Sequence, residues 1–284
     1  MSLKNNRELQ EHARANGYAV GAFNINNIEQ IRGVVETAVE EKSPVIIAVT
    51  EGAIKYAGWE IFCAALPRIA AAAPVPVAVH LDHGNKFDTI VKCIVGGFSS
   101  VMYDCSTLPF DQNVAEMKRV VEMAKPVGIS VEGEIGHVGG SEAGVSAPGG
   151  DEILTDPEEA ARFAELSGLD TVAVAVGTVH GMRKQTAKLD LERISAIAKA
   201  VKIPLVLHGA SGVPNEAFDE IISRGISKIN IGTEVQKSFS AGLRKFAEEN
   251  PDAIDFRKFA KPAVEEMKEA VRTKIRLFKS NGKA

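Results

Sequence analysis

The chain has 284 residues, 45% hydrophobic and 25% charged, with 25 glycines; this is an average globular composition and excludes collagen-like, fibrous and disordered chains. Its length can bury a large core without a disulfide or structural metal, and fits two domains or one α/β barrel. Lysine and arginine (33) against aspartate and glutamate (37) leave a net charge of −4 with no long block of either sign, so no basic surface for nucleic acid is present.

The N-terminal stretch MSLKNNRELQEHARANG is polar and lacks the apolar core of a signal peptide. The three cysteines, Cys63, Cys93 and Cys105, are scattered, without C-x-x-C spacing, and read as reduced thiols. The most apolar stretch, 61–79, is interrupted by Arg68 and by Pro67, Pro74 and Pro76, so it does not span a membrane. Together these features lead to the expectation of a soluble cytoplasmic protein.

Short β-branched runs predict strands at Ala19–Phe23, Val45–Val49, Val77–Leu81, Ser100–Tyr103, Ile129–Glu132, Thr171–Val176, Leu205–Leu207 and Lys228–Ile231. They are apolar at nearly every position, as strands covered on both faces are. Amphipathic stretches lie between them, among them Ile28–Glu41, Asn113–Lys125, Pro157–Ser167 and Leu191–Val201. Asp111 reads as the cap of one helix, and Thr155-Asp156-Pro157-Glu158 opens another. Eight such units, each returning parallel, predict an α/β fold: one domain over 1–284, closed as a (β/α)8 TIM barrel. An open doubly wound sheet is the alternative, but no G-x-G-x-x-G follows the first strand. The glycine-rich stretch 136–155 reads as a long mobile lid. The tail from Pro262 to Phe278 reads as an additional C-terminal helical arm, serving either to cap the barrel or to reach a second copy in a homodimer.

In this fold the reacting groups sit at the C-terminal ends of the strands. Found there are His80-Leu81-Asp82-His83-Gly84, Gly177-Thr178-Val179-His180-Gly181 and His208-Gly209. His83, His180 and His208 therefore converge on one mouth, and three imidazoles with an open position make a catalytic zinc site. His12 and His137 are expected not to ligate, and His80 is expected to be a supporting or core residue. Strand alternation turns Asp82 away from the direction of His83, which leaves it free to move a proton instead of binding the same metal. Gly209-Ala210-Ser211-Gly212 and Asn230-Ile231-Gly232-Thr233 end the last two strands, where barrels commonly build a phosphate site from backbone amides. Gly181 and Lys184 can add an amide and a cation. A metal, a carboxylate and a phosphate cradle suggest Lewis-acid chemistry on a phosphorylated carbonyl compound. A Schiff-base route would want a lysine aimed into the barrel, and TVAVAV, the sixth predicted strand, holds none.

YAVGAFNINN, SPVIIAVTEG, HLDHG, SVMYDCSTLPF, SVEGEIGHVGG, VAVGTVHGM, PLVLHGASG, KINIGTE and DFRKF follow one another over essentially the whole chain. In that order they resemble the class II, zinc-dependent fructose-bisphosphate/tagatose-bisphosphate aldolases. The resemblance implies one Zn2+ per subunit on His83, His180 and His208, with Asp82 as the catalytic proton carrier. Gly181, Gly209, Ala210, Ser211, Asn230, Ile231, Gly232 and Thr233 would hold the dihydroxyacetone phosphate half, with a monovalent cation (Na+ or K+) nearby. Asn24 and Thr50 would also bind substrate, Thr50 near the aldehyde end. Asp104 and Glu134 would offer a second metal position, and Glu142 in the lid would exchange the dihydroxyacetone phosphate proton. Arg257 would reach the other phosphate from a neighbouring subunit of a homodimer or homotetramer.

The family commonly has an acidic residue where Ala143 stands, a proline where Phe256 stands, and an aromatic residue where the run Met182-Arg183-Lys184 begins. His-Gly-Met and Gly-Ala-Ser-Gly place the chain nearer the tagatose-bisphosphate branch. Expected substrates are accordingly a ketose 1,6-bisphosphate and triose phosphates, with neither nucleic acid nor membrane as partner. An aldolase for a related phosphorylated ketose with a different aldehyde half is the alternative. A zinc hydrolase would explain the metal and leave the phosphate loops idle. A non-catalytic phosphosugar-binding subunit would be expected to have lost some of Asp82, the histidines and Glu142, all of which are present.

Overall fold

The computed structural model describes residues 2–142, 145–146 and 153–284. Eight parallel strands close a barrel: β1 (Val20–Asn24), β2 (Val45–Thr50), β3 (Val77–Gly84), β4 (Ser100–Tyr103), β5 (Ser130–Ile135), β8 (Thr171–Val174), β9 (Leu205–Leu207) and β10 (Ile226–Ile231). They run around the barrel as β1-β10-β9-β8-β5-β4-β3-β2. Two short strands, β6 (Ser141–Glu142) and β7 (Val145–Ser146), pair antiparallel outside it. All eight strand runs read from the sequence are found, with ends shifted by a few residues.

The helices are α1 (Asn6–Ala15), α2 (Ile28–Glu40), α3 (Glu51–Ala57), α4 (Trp59–Ala72), α5 (Phe87–Val95), α6 (Phe110–Ala124), α7 (Pro157–Ser167), α8 (Leu191–Ala200), α9 (Phe218–Ser223), α10 (Thr233–Glu249) and α11 (Phe256–Leu277). The outer core joins the outward faces of the strands to these helices: Val79, Val101, Val131, Val172 and Ile229 are buried with Val34, Phe62, Met117 and Phe163. Inside the barrel the alanines Ala22, Ala48, Ala78 and Ala173 pack with Val20, Ile46, Met102 and Val206. α1 lies against that interior through Leu9 and Ala13, and the Asn6 amide donates to Ser130 Oγ at 3.0 Å. The polar end of the barrel is thereby left as the open one.

Two helix starts differ from the sequence reading. α6 starts at Phe110 with Pro109 at its cap position, and Asp111 lies in the first turn, where its charge complements the helix dipole without making a cap hydrogen bond. α11 starts before Pro262, at a cap made by Asp255, whose side chain accepts from Arg257 N. Ala260, Ala263, Met267, Val271 and Ile275 stay in helical phase across the proline and are buried, which outweighs its missing hydrogen bond. α11 packs on α2 and α10 of its own barrel. The contact with α10 is backbone against backbone: a Cβ on Gly242 would meet Ala263 Cα at 2.6 Å. The glycine-rich stretch is closed at its described ends by paired bonds between His137 and Ile153 (2.8 and 3.0 Å) and by a bridge from Gly140 to His180. Residues 143–144 and 147–152, the centre of the expected lid and with it Ala143, lie outside the described residues. Among the described residues no helix is long and apolar enough to cross a membrane.

Candidate metal and substrate site

β3 carries two site residues on consecutive positions, and the strand is irregular there. Its register against β4 shifts between Leu81 and Gly84, and His83 takes a positive φ of 46°. A non-glycine residue held in that region costs on the order of 1–3 kcal/mol, and such strain gathers at functional sites. Simple alternation would send Asp82 and His83 in different directions. The left-handed turn corrects that expectation, because His208 Nδ1 lies 2.9 Å from His83 Nε2 and 3.9 Å from Asp82 Oδ1.

His83, His180 and His208 come together: one ligand atom from each lies within 4.8 Å of the others. The ring centroids of His83 stand 4.7 Å from His180 and 4.6 Å from His208. His83 Nδ1 donates to Asp104 Oδ2 at 2.9 Å, while Asp104 Oδ1 accepts from the Ser106 amide (3.1 Å) and hydroxyl (2.7 Å). Burial opposes the charge on Asp104, but these bonds hold its carboxyl far below the usual range. Burial likewise opposes charge on His83, yet Asp82 and Asp104 raise it to about 10. Burial and the neighbouring His83 push His180 down to about 3, and burial drives His208 down as well. His83, Asp104 and Glu134 make a second group of ligand atoms within 4.8 Å. Burial and Asp104 push Glu134 up to about 8, and its Oε2 is buried without a hydrogen-bond partner among the described residues.

Asp82 is fully buried, and its two oxygens are gripped from two strands. Asn24 Nδ2 donates to Oδ2 at 2.7 Å from β1, and Asn230 Nδ2 to Oδ1 at 3.0 Å from β10. Burial alone would raise its pKa; His83, His208, Lys228 and the Asn24 bond outweigh that and bring it to about 2. Thr50, buried at the end of β2, accepts from Ala53 N at 3.2 Å and so caps α3.

The loops after β9 and β10 meet beside this cluster. Gly209 adopts φ +65°, and a Cβ there would lie 2.9 Å from the Val179 carbonyl carbon and 3.2 Å from His180 Cδ2, so glycine is required under that imidazole. Ser211 Oγ accepts from Glu234 N at 3.4 Å, across to the start of α10. Lys274 of α11, fully buried, bonds Asn215 Oδ1 at 2.9 Å and pairs with Glu234 at 3.0 Å, so the tail ties the two loops together. Asn24, His180, Gly181, Gly232 and Thr233 line one cavity of about 710 Å³ with Arg183, Lys237 and Arg244. Ala210 and Ile231 are buried behind it.

Other expected residues are not gathered here. Lys184 is exposed, and Arg183 lines the cavity in its place. Arg257 is 90% exposed and held by Asp255 at 2.9 Å. The side chain of Glu142 lies outside the described residues.

Sequence reading missed two charged groups inside the barrel, Glu132 and Lys228. Lys228 Nζ donates to Glu132 Oε1 at 2.8 Å and Oε2 at 2.9 Å, and Glu132 Oε1 accepts from His208 Nε2 at 2.9 Å. The barrel therefore does contain a lysine, contrary to the reading of TVAVAV alone. A Schiff-base nucleophile needs a free amine facing the mouth, and this ammonium is spent on a carboxylate below His208. A period of 2 would have revealed the network: His80 precedes Asp82, Glu132 precedes Glu134 and Lys228 precedes Asn230, each by two residues on one strand face.

The donor set fits a metal. His83 and His208 turn facing nitrogens to each other at 2.9 Å while their far nitrogens bond carboxylates. Facing nitrogens so placed share either the proton that His83 keeps or a cation that replaces it, and three neutral imidazoles are the ligands of a catalytic zinc.

An eight-stranded parallel barrel with three converging histidines, a gripped aspartate and glycine loops at one mouth is the architecture of a barrel enzyme whose donor set suits a metal. Residues 4–283 match the family of class-II fructose-bisphosphate aldolases. A fructose-bisphosphate aldolase of Thermus caldophilus is 44% identical, over 98% of each chain. The crystal structure of the YdjI aldolase from Escherichia coli K12 superposes with a TM-score of 0.86 at 35% identity, covering 99% of both chains. A candidate fructose-1,6-bisphosphate aldolase from Coccidioides immitis superposes at 0.91 with 29% identity, over 100% of this chain and 99% of that one. The chain belongs to the class II fructose-bisphosphate aldolase family. It is a ketose-bisphosphate aldolase, a lyase whose substrates are phosphorylated ketoses and triose phosphates.

Proposed function

We propose that the chain, as one barrel domain, catalyses reversible aldol cleavage of tagatose or fructose 1,6-bisphosphate to dihydroxyacetone phosphate and glyceraldehyde 3-phosphate. The observation that carries this reading is Asp82, ionised and held by Asn24 and Asn230 beside three converging imidazoles. Asp82 takes the C4 hydroxyl proton, the C3–C4 bond breaks, and the electron pair is left on the dihydroxyacetone phosphate half. Zinc held by His83, His180 and His208 supplies Lewis-acid polarisation of the substrate carbonyl. Asp104 and Glu134 offer the second metal position, and Glu142 returns the proton to the three-carbon product. The amides of Gly181, Gly209 to Ser211 and Asn230 to Thr233, with a monovalent cation, hold its phosphate.

Arg257 completes the far end of the site from a neighbouring subunit of a cytoplasmic homodimer or homotetramer. Arg183, lining the cavity, adds a charge near the mouth that suits a ketose with a different aldehyde half, while the tagatose reading rests on the His-Gly-Met and Gly-Ala-Ser-Gly runs. Coupled cleavage assays on fructose and tagatose 1,6-bisphosphate, before and after chelation and zinc add-back, test the proposal. Chelator-sensitive activity restored by zinc is expected, with the faster sugar identifying the epimer. Activity indifferent to chelation would remove the metal from the mechanism, and no turnover of either sugar would redirect the search to another aldehyde half.

A further inference from the structure

The network beneath the mouth has a fully determined set of donors and acceptors. Lys228 Nζ has three N–H groups, and three acceptors surround it: Glu132 Oε1 (2.8 Å), Glu132 Oε2 (2.9 Å) and His80 Nε2 (3.3 Å). His80 Nε2 must therefore accept, which places the His80 proton on Nδ1, donated to Ser100 Oγ at 2.9 Å. Glu132 Oε2 also accepts from Thr171 Oγ1 at 3.3 Å, and Glu132 Oε1 faces His208 Nε2 at 2.9 Å. A carboxylate paired with an ammonium can only accept. His208 Nε2 must then carry its proton, which leaves the lone pair on Nδ1. That nitrogen faces His83 Nε2 at 2.9 Å and Asn230 Nδ2 at 3.3 Å, on the mouth side of the ring.

We infer that Glu132, locked as an acceptor by Lys228, is the positioning residue that sets the tautomer of His208, so that this histidine meets the metal through Nδ1. Glu132, Lys228, His80 and Thr171 are buried on four strands, β5, β10, β3 and β8, and His208 is buried directly after β9. A buried ion pair is no better for stability than apolar packing of the same volume. What this one provides is direction: a carboxylate behind a ligating imidazole fixes its orientation and raises its basicity. The inference rests on the assignment of His208 as a zinc ligand.

Glu132→Gln is the test, because it keeps the shape and reverses part of the hydrogen-bond code. Lys228 still donates to the amide oxygen, and the amide NH2 is turned on His208 Nε2, which must then accept and move its proton to Nδ1. Zinc affinity, read by competition with a chromophoric chelator on the full chain, is expected to fall about 10- to 100-fold. 15N chemical shifts of the histidine rings, with His208 assigned by loss of its signal in His208→Asn, are expected to show protonation at Nε2 in the native chain and at Nδ1 in Glu132→Gln. A global loosening of the barrel would lower affinity without this exchange of tautomers.

Unchanged zinc affinity in folded Glu132→Gln would overturn the inference while leaving the metal site standing. Should that variant not fold, the native spectrum alone decides, since His208 protonated at Nδ1 refutes the argument. Failure of the native chain to bind zinc at all would instead overturn the metal assignment.

Discussion

Replacing Asp82 by alanine separates proton transfer from metal binding. Asp82 belongs to neither group of metal-ligand atoms, so zinc content per chain should be unchanged. The substitution removes two charge-assisted hydrogen bonds, from Asn24 at 2.7 Å and Asn230 at 3.0 Å. Bonds to a charged group contribute about 1.5–3 kcal/mol each, and water entering the vacated space can satisfy the two amides in part. A drop in unfolding free energy of a few kcal/mol is therefore expected. Turnover should fall further. A positioned general base contributes about 10²- to 10⁴-fold, equal to about 3–5.5 kcal/mol of barrier. The assay is coupled cleavage of the ketose bisphosphate alongside solvent exchange of the dihydroxyacetone phosphate proton, with zinc measured by elemental analysis. Cleavage should collapse while exchange, assigned to Glu142, persists. Undiminished cleavage in a folded, zinc-loaded Asp82→Ala protein would refute the role given to Asp82.

Two further perturbations address the metal and the phosphate loop. His83 is raised to about 10 by Asp82 and Asp104 against the opposing effect of burial; without metal it keeps its proton at neutral pH, and its contribution to stability is full below about 6.5 and lost as pH rises through about 10. Zinc needs the neutral ring, so uptake should release a proton and apparent affinity should climb about tenfold per pH unit through neutrality. Calorimetry in buffers of different ionisation heat measures this, and a binding heat independent of buffer would contradict it. Gly209→Ala adds a Cβ 2.9 Å from Val179 and 3.2 Å from His180 at φ +65°; the left-handed backbone alone costs about 1–2 kcal/mol. Thermal unfolding should show that loss and KM should rise, whereas a wild-type melting temperature and KM would show that the loop does not need glycine.

The alternation of apolar runs and amphipathic stretches was enough to place all eight barrel strands, because burial on both faces and helical periodicity are written locally. The three histidines were legible for a related reason: strand ends in a closed parallel barrel share one rim, so three His-Gly steps at separate strand ends meet without further information. Other features were decided by tertiary structure. The direction of His83 depends on a left-handed turn and a register shift against β4, which no period of 2 contains. The passage of α11 through Pro262 depends on an apolar face buried against α10 and α2. The pairing of Glu132 with Lys228 joins positions 96 residues apart along the chain. The sequence put each charge on an inward strand face; only barrel closure made them neighbours and gave the imidazole above them its orientation. Local pattern determines which face a side chain takes, and the partner it meets there is set by how the strands close around it.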